Sequence, residues 1–154
     1  MPDIDFAFLA DAAEAVPGRK FAVIGGGVSR IGGPAFPLRH PHLALVVGLA
    51  VSAAELEAEH EVRFAILGPD GRELSAGAAS IKAAGSRGGL DTVVTFGIDL
   101  WNLVFEVPGA YSCRLLVDGR ERKRLPIHVE RIEVPGGSSG STIVPPFPPP
   151  TGLA

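Results

Sequence analysis

Cysteine, tryptophan, tyrosine and methionine each occur once in this chain of 154 residues. A single cysteine excludes an intrachain disulfide and fits a reducing compartment. Aromatic residues make up only 6% of the chain, so platforms for stacking a sugar ring are few. An excess of basic charge is also missing: 14 Lys and Arg stand against 17 Asp and Glu, for a net charge of −3. A domain that holds phosphates needs a basic surface, so nucleic acid is not the expected partner. Long hydrophobic runs are absent. The longest, LALVVGLAV at residues 43–51, falls well short of the roughly 18 apolar residues of a membrane span and suits a buried strand instead. The first 16 residues lack a basic start and a continuous apolar stretch, and Asp3, Asp5 and Asp11 interrupt them. A secretory signal is therefore not expected. Together these absences predict a soluble cytoplasmic protein.

Glycine and proline are plentiful, at 20 and 14 residues. They punctuate many short strands more readily than helices. The clearest strand signal is residues 104–129. Tyr111, Cys113, Leu115 and Val117 alternate with polar or outward residues, as a strand with one buried face requires. Asp118-Gly119 tolerates positive φ and so predicts a two-residue hairpin turn. Leu125, Ile127 and Val129 resume the alternation on the return strand.

Elsewhere, Ile4, Phe6 and Phe8 predict a first strand, and residues 20–28 a second that pairs with it. Residues 29–41 hold three prolines and two glycines and are expected to be an irregular connection. Residues 43–51, apolar on both faces, predict a central strand. Ser52 and Glu55 have the spacing of a capping box, which fits a helical turn over residues 53–59 or a polar loop. Val62, Phe64 and Ile66 mark another strand, closed by a turn at residues 68–71. Residues 72–82 are a weaker strand, residues 85–89 a loop, and residues 92–105 a strand carrying Trp101, which is expected to pack in the core. The sum is seven or eight strands at sandwich spacing: an all-β, two-sheet β-sandwich over residues 1–134.

After Glu133 the composition changes. Residues 135–154 contain six prolines, four glycines, three serines, two threonines and no charge. Such a segment buries too little apolar area to offset its ordering entropy. The expectation is an irregular Gly/Ser/Pro-rich tail, whose stretch Pro145-Pro146-Phe147-Pro148-Pro149-Pro150 favours polyproline II. Ile143, Val144, Pro145, Pro146, Phe147, Pro148 and Leu153 are its candidate partner-binding residues.

Motifs for chemistry are weak. Val23-Ile24-Gly25-Gly26-Gly27 begins like a dinucleotide turn, but the sixth position is Arg30 and Pro34 and Pro37 forbid the helix that must follow. The glycines fit a bulge or a close strand crossing. His40 and His42 flank Pro41 without neighbouring metal ligands, and His60 and His128 lie far off in sequence. Arg120, Arg122, Lys123 and Arg124 form a basic hairpin tip, whose ordinary use is to discourage edge-to-edge pairing. No Gly-x-Ser-x-Gly elbow is present, and Cys113 lies on a buried strand face where a thiol stays inert. No cofactor, metal or catalytic residue is expected.

Two resemblances add to this reading. Tyr111-Ser112-Cys113 after Pro108-Gly109-Ala110 resembles the Tyr-x-Cys corner of immunoglobulin-like domains, which implies an immunoglobulin-like sandwich without its inter-sheet disulfide. The stretches at residues 8–12, 18–25, 36–37, 40–41, 108–111 and 115–119 resemble a family of short, uncharacterised bacterial β-sandwich proteins, a domain of unknown function, over residues 4–130. That resemblance implies a fold and a bacterial source, and no activity. The expected role is a structural or protein-interaction module that binds itself or another protein through an edge strand or the tail, as a homo-oligomer or filament. A small-molecule or carbohydrate-binding sandwich, with its site in residues 29–41 and 83–89, is the alternative, and a hydrolytic enzyme the third.

Overall fold

The computed structural model describes residues 1–15, 20–84, 91–133 and 135. Nine strands are formed among them: β1 (Asp3–Ala15), β2 (Phe21–Gly26), β3 (Arg30–Gly33), β4 (Leu38–Val51), β5 (Glu59–Leu67), β6 (Glu73–Lys82), β7 (Thr92–Phe105), β8 (Gly109–Val117) and β9 (Arg120–Arg131). They build two sheets, one in the order β2-β1-β4-β7 and one in the order β3-β9-β8-β5-β6. The architecture is an all-β sandwich. Its core interleaves Leu43, Leu45, Val47 and Leu49 of β4 with Val62, Ile66, Cys113, Leu115 and Ile127 of the facing sheet. The predicted loop at residues 85–89 and the tail residues Ile143 to Leu153 lie outside the described residues.

Most strands form where the alternation placed them. β4 lies between β1 and β7 and is buried over residues 43–49. β8 and β9 are a hairpin turning through Asp118 and Gly119, both at positive φ. The helical turn is shorter than residues 53–59: a 3-10 turn spans only Ala53–Glu55. The Glu55 carboxylate accepts hydrogen bonds from the Ser52 backbone N–H and hydroxyl, satisfying groups that a turn start leaves free.

Two expectations need correction. Residues 29–41 are not irregular throughout. Arg30–Gly33 form β3, parallel to β9 with Ile31 opposite Val129, and β4 begins at Leu38. Pairing with a distant strand satisfies these backbone groups despite the local glycines and prolines. Secondly, β1 runs beyond the alternation of Ile4, Phe6 and Phe8, to Ala15. Its pairing with β4 ends at Ala10 opposite Ala44, and its second half pairs with β2.

That second half curls over the outer face of the first sheet. The Phe21 ring stacks on Phe6 at 5.8 Å, and a Cβ built on Gly97 of β7 would lie 3.6 Å from the Ala15 Cβ. Val46 and Ala44 do not belong to the inter-sheet core, yet they are fully buried. A second, smaller apolar layer therefore lies beneath the β1–β2 hairpin. The glycines of the hairpin serve close approach: Gly25 has φ 62°, and a Cβ there would collide with the Asp11 carboxylate.

Candidate functional site: an open flank between two edge strands

β6 and β7 are the edge strands of the two sheets on the same side of the sandwich. Neither pairs with another strand of the described residues on its outer side, so each presents backbone donors and acceptors to its surroundings. β7, at 14 residues, is a long edge. The strands part at the end carrying the turns at residues 68–72 and 106–108, and a groove of about 620 Å³ opens there. Leu103 and Tyr111, both buried, lie at its floor, and Pro69, Leu74, Trp101 and Val107 line it. Asp70, Arg72, Glu73 and Glu106 also line it. Arg72 pairs with Asp70 and Arg63 reaches Glu73, so Glu106 leaves the rim mildly acidic.

Trp101 is 65% exposed, against the expectation of core packing. The cause is local. Val94, Phe96, Ile98 and Leu100 take the inward positions of β7, so Trp101 alternates outward. Asn102 then adopts φ 52° opposite Pro41, between the pairs His42–Trp101 and His40–Leu103. Proline has no N–H for the ladder, and asparagine tolerates the left-handed region. The inward series resumes a step later at Leu103 and Phe105, leaving two successive residues on the outside.

Behind the indole sits His42, with ring centroids 4.2 Å apart. His42 Nδ1 donates to the Asp11 carbonyl at 2.8 Å and Nε2 donates to the Asp99 carboxylate at 2.8 Å. Both partners only accept, so both contacts are made together only by the imidazolium. The hydrogen bond to Asp99 above all, then that to Asp11, raises the His42 pKa above its ordinary 6.5. The contact ties the curled end of β1 to β4 and β7. The pH dependence follows in sign. The native state holds the proton more tightly than the unfolded chain, so the His42 contribution is complete below pH 6.5 and is lost as pH rises through the higher folded pKa. In urea titrations across pH 5–9, His42→Gln is expected to lose this component of the native pH dependence. Parallel native and variant profiles would contradict it.

The other candidate residues fall in separate places. His40 lines a second, more polar recess of about 400 Å³ with Asp11 and residues 27–32; the 29–41 segment of the alternative ligand site contributes to it, and residues 85–89 of that site lie outside the described residues. His60 contacts the Asp118 carboxylate at 2.9 Å and the Glu55 carbonyl at 3.3 Å. That contact is the main cause holding the Asp118 carboxyl below its ordinary range. Among the described residues no group of three His, Cys, Asp or Glu side chains could hold a metal ion. Of the basic hairpin tip, Arg124 is paired: Glu121 accepts hydrogen bonds from Arg124 and from Arg114 of β8, and those two cations, Arg124 foremost, lower its pKa. Cys113 is fully buried, and burial pushes its thiol up to about 12. Its modification by a thiol reagent at pH 8 should therefore proceed only as fast as the protein opens. Stoichiometric labelling within seconds under native conditions would contradict that placement.

Alternation along β7 could have placed Trp101 outward. The groove had no such signal, because it exists only where edges of different sheets meet.

The profile of the Family of unknown function (DUF6941) matches residues 5–130. No curated protein matches the chain. Among solved structures, the chain is similar to Pseudomonas fluorescens alkylpurine DNA glycosylase AlkC bound to DNA containing an abasic site analog, at 14% identity and a TM-score of 0.45. The likeness covers 84% of this chain and spans 30% of that protein. No helix among the described residues is long and apolar enough to cross a membrane.

Proposed function

We propose, for a chain that belongs to the Family of unknown function (DUF6941), that it is a non-catalytic protein-interaction module which receives an extended segment of a protein at the β6–β7 flank. The observation that carries this reading is the exposed Trp101 beside a groove between two strands that, among the described residues, no further strand pairs on the outer side. Edge strands offer main-chain hydrogen bonds to an added chain, and an apolar groove offers pockets for its side chains. Tryptophan is enriched among the residues that dominate interface energies. The mildly acidic rim suits a segment with apolar anchors and a flanking cation.

The immunoglobulin-like reading supports this role. The order β2-β1-β4-β7 against β3-β9-β8-β5-β6, with β1 beside β4 in one sheet and β3 parallel to β9 in the other, suits a Greek-key sandwich. The Tyr111 hydroxyl donates to the Val107 carbonyl at 2.7 Å, as a tyrosine corner requires. The β1–β2 hairpin over the outer face is an addition to that plan. A small-molecule site is the second reading, favoured by Trp101 standing exposed near Pro41.

A panel of labelled extended peptides, some strand-forming and some proline-rich, tests the proposal by fluorescence anisotropy on the full chain. At least one class should bind saturably, and Trp101→Ala should weaken it about tenfold or more, as loss of an interface anchor does. Absence of saturable binding, or binding indifferent to Trp101→Ala, would remove the reading.

A further inference from the structure

We infer that residues 143–153 of the same chain are the segment that the β6–β7 groove receives. This rests on the reading of the flank as an interaction site and names its resident occupant.

The first support is where the chain leaves the fold. β9 ends at Arg131 opposite Gly33, and Val129 pairs with Gly109 at the start of β8. A Cβ on Gly109 would lie 2.7 Å from Pro69, and Pro69 lines the groove. The exit of β9 and the groove are therefore at the same end of the sandwich.

The second support is reach. From β9 to β6 the sheet order passes β8 and β5, three strand spacings or about 14 Å. Residues 136–142 lie between Pro135 and the candidate segment and are rich in glycine and serine. Extended, they span about 23 Å, enough to reach the groove within one chain.

The third support is chemistry. Val144-Pro145-Pro146-Phe147-Pro148 is uncharged and favours polyproline II, which docks in apolar grooves lined by aromatic residues at low entropic cost. Trp101 supplies one aromatic wall, and Pro69, Leu74 and Val107 supply apolar ones. The tail brings no cation to Glu106, so the rim favours a basic-flanked competitor over it. A short flexible linker holds the tail at an effective concentration on the order of millimolar, so a weak contact suffices.

Trp101 is the sole tryptophan, so its emission reports occupancy. Full-length protein is compared with full-length Phe147→Ser, a change outside the residues that form the sandwich core. The native chain should emit further to the blue and be quenched less by acrylamide. A free peptide of residues 141–154, added to Phe147→Ser, should restore the blue shift saturably. Both proteins should be monomers by light scattering, with spectra independent of concentration. Identical native and variant emission and quenching would overturn the inference. A blue shift that grows with concentration alongside a dimer mass would also overturn it, placing a second copy in the groove. If the proteins emit identically but a peptide of the panel still shifts Trp101, the tail is not the occupant and the flank remains a binding site. If no peptide shifts Trp101 in either protein, the flank reading fails as well.

Discussion

Phe105→Ala is expected to destabilise the protein by about 4 kcal/mol, read from the shift of the urea unfolding midpoint. Phe105 is fully buried at the end of β7, where a deleted ring leaves a cavity its neighbours cannot fill. Its ring meets Tyr111 edge-on, with centroids 5.0 Å apart and planes at 87°. Such a pair adds about 1 kcal/mol beyond the area buried. Tyr111 in turn holds the Val107 carbonyl, so the substitution also loosens the turn that bounds the groove. Since domains of this size are stable by only about 5–15 kcal/mol, the variant should sit near the limit of folding. Val93→Ala, on the same strand but exposed, should stay within about 0.5 kcal/mol. A loss below about 1.5 kcal/mol for Phe105→Ala would mean that this end of the core is not packed as described.

Val46→Asp should be similarly damaging, on the order of 4 kcal/mol, because it buries a carboxylate without a partner. The expectation turns on topology. Val46 points away from the inter-sheet core, and on a plain sandwich that face meets water. Here it is 0% exposed, under the layer where Phe21 stacks on Phe6. Desolvation would drive the new carboxyl toward its neutral form, so the loss should shrink as pH falls through its raised pKa. Val93→Asp provides the contrast, since Val93 stands on the same face in the open. Equal and small effects at both positions would show that the β1–β2 hairpin does not cover the sheet.

The parts of the fold legible in the sequence were those set by local chemistry. Alternation of Tyr111, Cys113, Leu115 and Val117 with a turn at Asp118-Gly119 specifies the β8–β9 hairpin, because side-chain period and turn conformation are properties of neighbouring residues. The two-faced apolar run of β4 announces a central strand for the same reason. What escaped depends on distant partners. Arg30–Gly33 have the composition of a loop and become a strand only because β9 lies alongside. The stretch Ala10-Asp11-Ala12-Ala13-Glu14-Ala15 has low strand preference, yet pairs with β2. Trp101 faces outward despite its apolar bulk because Val94, Phe96, Ile98 and Leu100 hold the inward positions of β7. The groove follows from sheet order, which neither period nor turn chemistry encodes.

The most direct test of the central claim is a map of backbone amide shifts of the full chain, labelled with nitrogen-15, as the best-binding peptide of the panel is added. Perturbations concentrated at residues 68–75 and 101–107 are the predicted result and would place the partner on the β6–β7 flank. Perturbations gathered instead along β2 or β3, at the polar recess near His40 or at the hairpin tip around residues 118–124 would contradict it.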